Sequence, residues 1–223
     1  MKRKIGIVVL LIVVLGLWLG IASAGEKIQS WVTDANGNPL YQIWQGDDWL
    51  YYYESEDGNP ILLQFNDATE TTVTLPVAFD GKPVTKILSQ ATRNIVHAII
   101  PGGMSVLPEG SFSRSTNLRS VTFESGVTGI GENAFYQCYA LEEVTFPDTL
   151  THIGSQAFID CTSLIDVTLS PSDPCVIGQN AFYGCTELMD LTLNPNITVI
   201  DEAAFYGCAS LSTVSLPNTL WHP

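Results

Sequence analysis

Positive charge is scarce in this chain. Lysine and arginine number nine among 223 residues, against 23 aspartates and glutamates, and charged residues of both signs make up only 14%. A surface of that sign repels nucleic acid and anionic lipid headgroups, so neither is expected as a partner. Histidine is scarcer still, with only His97, His152 and His222. None of them has a second ligand at zinc spacing or a nucleophile motif beside it. HExxH, GxSxG, the phosphate-binding P-loop and the DxDxDG calcium loop are all missing. Gly129 to Ala134 carries the letters GxGxxA. A dinucleotide site needs a strand before those letters and a long helix after them, and no long helical pattern follows. The carboxylates are too many and too scattered to nominate a glycosidase pair. The expectation is a protein with no catalytic residues, no metal site and no cofactor.

The longest apolar run lies at the start. Lys2, Arg3 and Lys4 precede an 18-residue apolar stretch, 5–22, and Ala22-Ser23-Ala24 then offers small residues at cleavage positions. That is the pattern of a secretory signal peptide cut after Ala24. The run is also close to the length of a membrane span, so a retained N-terminal anchor is the alternative and the sole membrane attachment expected. Residues 1–24 hold three of the nine basic residues and none of the 23 acidic ones, which leaves six against 23 and a net charge of −17. The chain is expected to be secreted or at the cell surface.

Beyond residue 105 the sequence repeats. Phe112, Phe135, Phe158, Phe182 and Phe205 are spaced 23, 23, 24 and 23 residues apart. Five residues before each stands Leu107, Ile130, Ile153, Ile177 or Ile200, and one before stands Ser111, Ala134, Ala157, Ala181 or Ala204. Further columns follow at Leu118, Leu141, Leu164, Leu188 and Leu211, then at Val121, Val144, Val167, Leu191 and Val214, then at Phe123, Phe146, Leu169, Leu193 and Leu216. A unit of this length cannot close a core alone, so it must stack on its neighbours. In V-x-L, residues two apart share a strand face, which sends Val144 and Phe146 inward and Thr145 outward. G-x-x-A-F-x-x-C is a short helical turn or a tight bend on the opposite side, with Gly131, Gly154 and Gly178 relieving the backbone as it enters.

The consensus I-G-x-x-A-F-x-x-C-x-x-L-x-x-V-x-L-P resembles the BspA-like leucine-rich repeat, also called the Treponema pallidum type. The match is close along 105–220. TVTLPVAFDGKPVTKI, 72–87, is similar to the opening unit of that family, where a DGKPVT insert follows the first strand. Residues 95–101 read as a shortened unit without the AF and C positions. The resemblance implies a leucine-rich-repeat superhelix, a strand-rich solenoid with short helical turns and about seven strand positions beginning at Val73. For function it implies adhesion to host matrix proteins or to other cells.

Residues 25–70 lack the repeat. Asn36-Gly37 is a hairpin signal, and WLYYYE (49–54) and ILLQF (61–65) flank a polar turn. This segment is expected to be a small N-terminal β-hairpin cap over the first edge of the solenoid. Its aromatics, Trp44, Trp49, Tyr51, Tyr52 and Tyr53, leave open a sugar-stacking platform, as in a carbohydrate-binding accessory module of an extracellular hydrolase. The organisation expected is thus 1–24 signal segment, 25–70 cap and 71–223 repeats, the last incomplete. LPNTL (216–220) begins a further turn, which suggests a fragment of a longer protein.

Cys138, Cys161, Cys185 and Cys208 occupy one repeat column, and Ser115 fills it in the first full unit. Four side chains in a line span three strand gaps, at least about 14 Å, and cannot converge on one zinc ion. Buried packing is expected, with disulfides between neighbouring turns as the alternative in an oxidising compartment. Cys175 falls outside the column, in the one 24-residue unit, and is expected to be the exposed thiol. Asn196-Ile197-Thr198 spells a glycosylation sequon.

Function is sought where the repeat leaves positions free. Thr122, Thr145, Thr168, Thr192 and Ser215 form one outward column of the strand face. Ser120, Glu143, Asp166, Asp190 and Thr213 form its neighbour, acidic at the centre. Together they are a candidate face for an extracellular protein ligand, though threonine also simply suits exposed strands. Tyr136, Tyr183 and Tyr206, with Ile159 between them, are expected on the opposite side, packed between turns with the hydroxyl in water.

Overall fold

The computed structural model describes the strand backbones 27–33, 39–45, 48–54 and 60–65, and the chain from 72 to 220 apart from 80, 89–91, 93 and 218–219. The signal segment lies outside the described residues, and of the cap only the strands are described. β1 (Lys27–Thr33), β2 (Pro39–Gln45), β3 (Asp48–Glu54) and β4 (Pro60–Phe65) form an antiparallel meander. Next come β5 (Thr72–Thr74), the small hairpin of β6 (Ala78–Phe79) and β7 (Lys82–Pro83), and β8 (Lys86–Ile87). β4 runs parallel to β8, which ties the meander to the solenoid.

After β9 (His97–Ile100), each full turn gives two strands rather than one. The V-x-L strands are β11 (Ser120–Phe123), β13 (Glu143–Thr145), β15 (Asp166–Leu169), β17 (Asp190–Leu193) and β19 (Thr213–Ser215). With β5 and β9 they supply the seven positions expected from the register. The second set was not anticipated: β10 (Val106–Leu107), β12 (Gly129–Ile130), β14 (His152–Ile153), β16 (Cys175–Ile177) and β18 (Ile197–Ile200). These run as one continuous parallel sheet around the isoleucine column. Two or three residues per strand leave too little alternation for a sequence signal.

The third side has no sheet and no helix. Backbone N–H groups of Asn133, Phe135 and Gln137 donate to the carbonyls of Ser155, Ala157 and Ile159 in the next turn, at 3.1, 2.7 and 2.8 Å. These are tight bends, not helical turns, because each repeat phenylalanine is flanked at −2 and +2 by left-handed backbone. The pairs are Gly110/Arg114, Asn133/Gln137, Gln156/Asp160, Asn180/Gly184 and Ala203/Gly207, with φ between 54° and 80°. Gly184 and Gly207 adopt it without a Cβ penalty, which accounts for the glycine of AFYGC. Gly131, Gly154 and Gly178 serve another purpose than the one expected. None has positive φ; a Cβ on Gly131 or Gly154 would come within 2.6 or 2.7 Å of the backbone of the preceding turn. The glycines permit turns to stack closely.

The core is a ladder of rings. Phe112, Phe135, Phe158, Phe182 and Phe205 stack with centroids 5.2, 4.8, 5.0 and 5.2 Å apart. The first four are fully buried. Phe123 stacks on Phe146 at 6.2 Å, and both meet this ladder edge-on. Offset and edge contacts of this kind add about 0.5–1.5 kcal/mol per pair beyond area burial.

Candidate functional site

The cysteine column is structural. Sγ of Cys138, Cys161, Cys185 and Cys208 donates to the carbonyl of Phe112, Phe135, Phe158 and Phe182 in the preceding turn, at 3.0, 3.2, 3.2 and 3.3 Å. The column therefore asks for a small side chain that can donate a hydrogen bond. Ser115 meets that requirement, and so does Thr92, whose Oγ1 lies 2.8 Å from Ser115 Oγ and donates to Ser111 O. Thr92 lies ahead of the shortened unit 95–101 and, unlike the cysteines, donates to the following turn. All five cysteines are free thiols. Burial pushes the Cys138 thiol up to about 12 and those of Cys161 and Cys185 well above their ordinary value. Thiols held protonated by burial are poor nucleophiles and poor metal ligands.

Cys175 corrects an expectation. It is buried, not exposed, because it opens β16 and points into the core. The pairing of β16 with the next strand of its sheet slips beside it: consecutive Cys175 and Val176 face Ile197 and Val199 of β18, and Thr198 is the extra residue. The more accessible thiol is Cys208, partly exposed on the last described turn. The sequon is also occupied by structure. Asn196 Nδ2 donates to Pro171 O and Ser172 O, both at 2.9 Å, and Thr198 Oγ1 donates to Cys175 O.

On the strand face, Thr122, Glu143, Thr145, Asp166, Thr168, Asp190, Thr192 and Ser215 are all exposed. Val121, Val167 and Leu191 are buried and Val144 half-buried, so the alternation places seven of them outward, while Ser215 lies in β19, where all three residues are exposed. Parallel pairing sets Thr122 opposite Thr145, Thr168 opposite Thr192 and Thr192 opposite Ser215. Asp166 stands opposite Asp190. Beside them, Arg119 reaches Glu142 at 2.6 Å, an exposed pair worth about 0–1 kcal/mol. Among the described residues, no ion pair neutralises Glu143, Asp166 or Asp190. The stripe thus retains three carboxylates in solvent, flanked by hydroxyls, with exposed Ile165 and Met189 bordering the acidic column.

The same face holds one contact that motif reading missed. His97 Nδ1 lies 2.7 Å from Ser120 Oγ. Their 23-residue spacing was the available signal. The column continues past His97 to Thr72, and among the described residues no carboxylate is hydrogen-bonded to the imidazole to orient it. The pair is a column contact. Among the described residues, no group of three or more His, Cys, Asp or Glu could hold a metal ion. Two grooves of about 600 and 310 Å³ lie off this face, at Lys86, Glu109 and Tyr136 and at Val77, Met104 and Val106. Tyr183 and Tyr206 stack at 5.2 Å, and Arg114 lies 5.8 Å above the Tyr136 ring.

The architecture has counterparts of known structure. The leucine-rich repeat protein TpLRR of T. pallidum is 28% identical, with a TM-score of 0.58 over 75% of this chain and 79% of that one. A leucine-rich repeat protein from Bacteroides ovatus is 22% identical (TM-score 0.52), matching 80% of this chain and 54% of its own. The pneumococcal vaccine antigen PcpA is 20% identical (TM-score 0.50), matching 78% and 48%. This chain thus spans about half of the latter two. No curated protein matches it. The profile described as the BspA type leucine rich repeat region matches residues 86–175 and 170–222, in six copies. The chain belongs to the BspA-type leucine-rich repeat family.

Proposed function

We propose that the protein is an extracellular binding module, secreted or surface-displayed, that engages a protein ligand through the strand face and performs no chemistry of its own. Repeat proteins present extended surfaces assembled from equivalent positions of successive units. The observation that carries this reading is the exposed set of eight side chains on successive turns, three of them carboxylates with no ion pair among the described residues. The apolar segment 5–22 and the acidity of the remainder support an extracellular location. The ligand is a protein of host matrix or cell surface with basic residues at its contact, since an acidic stripe steers and aligns positive partners.

Asp166→Lys/Asp190→Lys tests the reading. Binding to immobilised host matrix proteins should weaken roughly tenfold or more, a change of about 1.4 kcal/mol. Wild-type binding should also fall between low and physiological salt, where the Debye length shortens to about 8 Å. Unchanged binding by the double variant at every ligand detected would show the stripe to be surface without function.

A further inference from the structure

Among the described residues, three of the four junctions between full turns are tied on three sides and one on only two. Between the second and third full turns the second sheet is continuous, with β14 pairing β12 and β16. The bends are also continuous there, Phe135 N–H donating to Ala157 O at 2.7 Å and Gln137 N–H to Ile159 O at 2.8 Å. The strand face is not. β13 ends one sheet, β13-β11-β9-β5, and β15 begins another, β15-β17-β19. Beyond the two strands Ser172 N–H donates to Asp148 O at 2.7 Å, and just before them the bond is Ile165 N–H to Glu142 O, at 3.4 Å. Its counterparts, Glu142 to Arg119 and Met189 to Ile165, measure 2.8 Å.

The side chains mark the same boundary. The last apolar column changes from Phe123 and Phe146 to Leu169 and Leu193 there. Phe146 stacks on Phe123 but has no ring to stack on in the next strand, and turns edge-on to Phe158 at 5.8 Å. Val144 and Phe146 are only half-buried, whereas Val121, Phe123, Val167 and Leu169 are buried. Like charges do not explain the break, because Asp166 and Asp190 face each other within an intact ladder.

We propose that this is a built-in joint, at which the strand face opens and closes between Thr145 and Thr168 while the other two sides act as its spine. Opening would uncover Val144 and Phe146 and alter the curvature of the face. The inference concerns the free protein and stands whether or not that face binds a ligand.

Amide hydrogen exchange on the native chain tests it. By the alternation of the ladder, the N–H groups of Val144, Phe146 and Thr168 point across the joint, and those of Val121, Phe123 and Thr192 sit in ladders. The first three should exchange at least about tenfold faster than the second three, a population effect of local opening. Gly154 and Gly178, whose N–H groups bond to Ile130 O and Ile153 O on the second sheet, should be protected alike, which separates a joint from general fraying. A disulfide in Glu143→Cys/Asp166→Cys should bring the fast amides to the rate of their counterparts. Equal exchange of the two sets in the wild-type chain would overturn the proposal even if that variant did not fold.

Discussion

Three buried thiols make the fold sensitive to alkali. Cys138, Cys161 and Cys185 are fully buried, and desolvation raises all three above their ordinary value of 9.0, Cys138 to about 12. In the unfolded chain they ionise near 9.0. Above that pH the unfolded state has released protons that the folded state keeps, so stability falls as pH rises; it is intact below pH 9. At pH 10 each unfolded thiol gains RT ln(1 + 10), about 1.4 kcal/mol, so three contribute a loss of about 4 kcal/mol. That is a large share of the roughly 5–15 kcal/mol that holds a native protein together. Cys138→Ser/Cys161→Ser/Cys185→Ser removes the titration and keeps a small hydrogen-bonding side chain, as buried Ser115 fills this column naturally. Urea unfolding at pH 7.5 and 10, under reducing conditions, should show the wild type losing about 4 kcal/mol more than the variant. With a slope of about 2 kcal/mol/M this is a midpoint difference of about 2 M. Equal losses in the two proteins would refute the burial of the column.

Thiol labelling of the native chain should find Cys208 reacting first and Cys175 protected; rapid labelling of Cys175 would contradict its place in β16. Gly184→Ala, at φ 72°, should cost about 1–2 kcal/mol, whereas Ala203→Gly, at φ 55°, should be neutral or stabilising by several tenths, both measured by denaturant unfolding. Phe158→Ala, removing a ring stacked on both sides, should cost about 3–5 kcal/mol and more than Phe205→Ala, whose ring is half-buried with one stacking neighbour.

The repeat was legible because burial imposes it. Each of Phe135, Leu141 and Val144 recurs at a fixed interval, since the same side chain must meet the same neighbour one turn away. The seven strand positions and the outward threonines followed from that register. The second sheet did not, because Gly129 and Ile130 form a strand too short to show a period. Cys175 was misplaced because the extra residue of its unit hides which residue opens β16, and no sequence pattern announces that the ladder to β18 slips beside it. The glycines of I-G were visible, but their cause lies in the backbone of the neighbouring turn, which sequence spacing does not contain. The His97–Ser120 contact was within reach: two polar residues in one column, a turn apart, must touch if the column faces outward. In residues 25–70 the signals that separate β1 from β2 and β3 from β4 were legible as Asn36-Gly37 and the polar stretch before Pro60.

The central claim is that the repeat columns are architecture and that recognition belongs to the strand face. The most direct test compares two charge reversals of equal size on opposite sides, Asp166→Lys/Asp190→Lys on the strand face and Glu132→Lys/Glu202→Lys on the bends, for binding to the same immobilised matrix proteins. Binding should fall roughly tenfold or more in the first and stay near wild type in the second. Equal loss in both, or loss confined to the second, would contradict it.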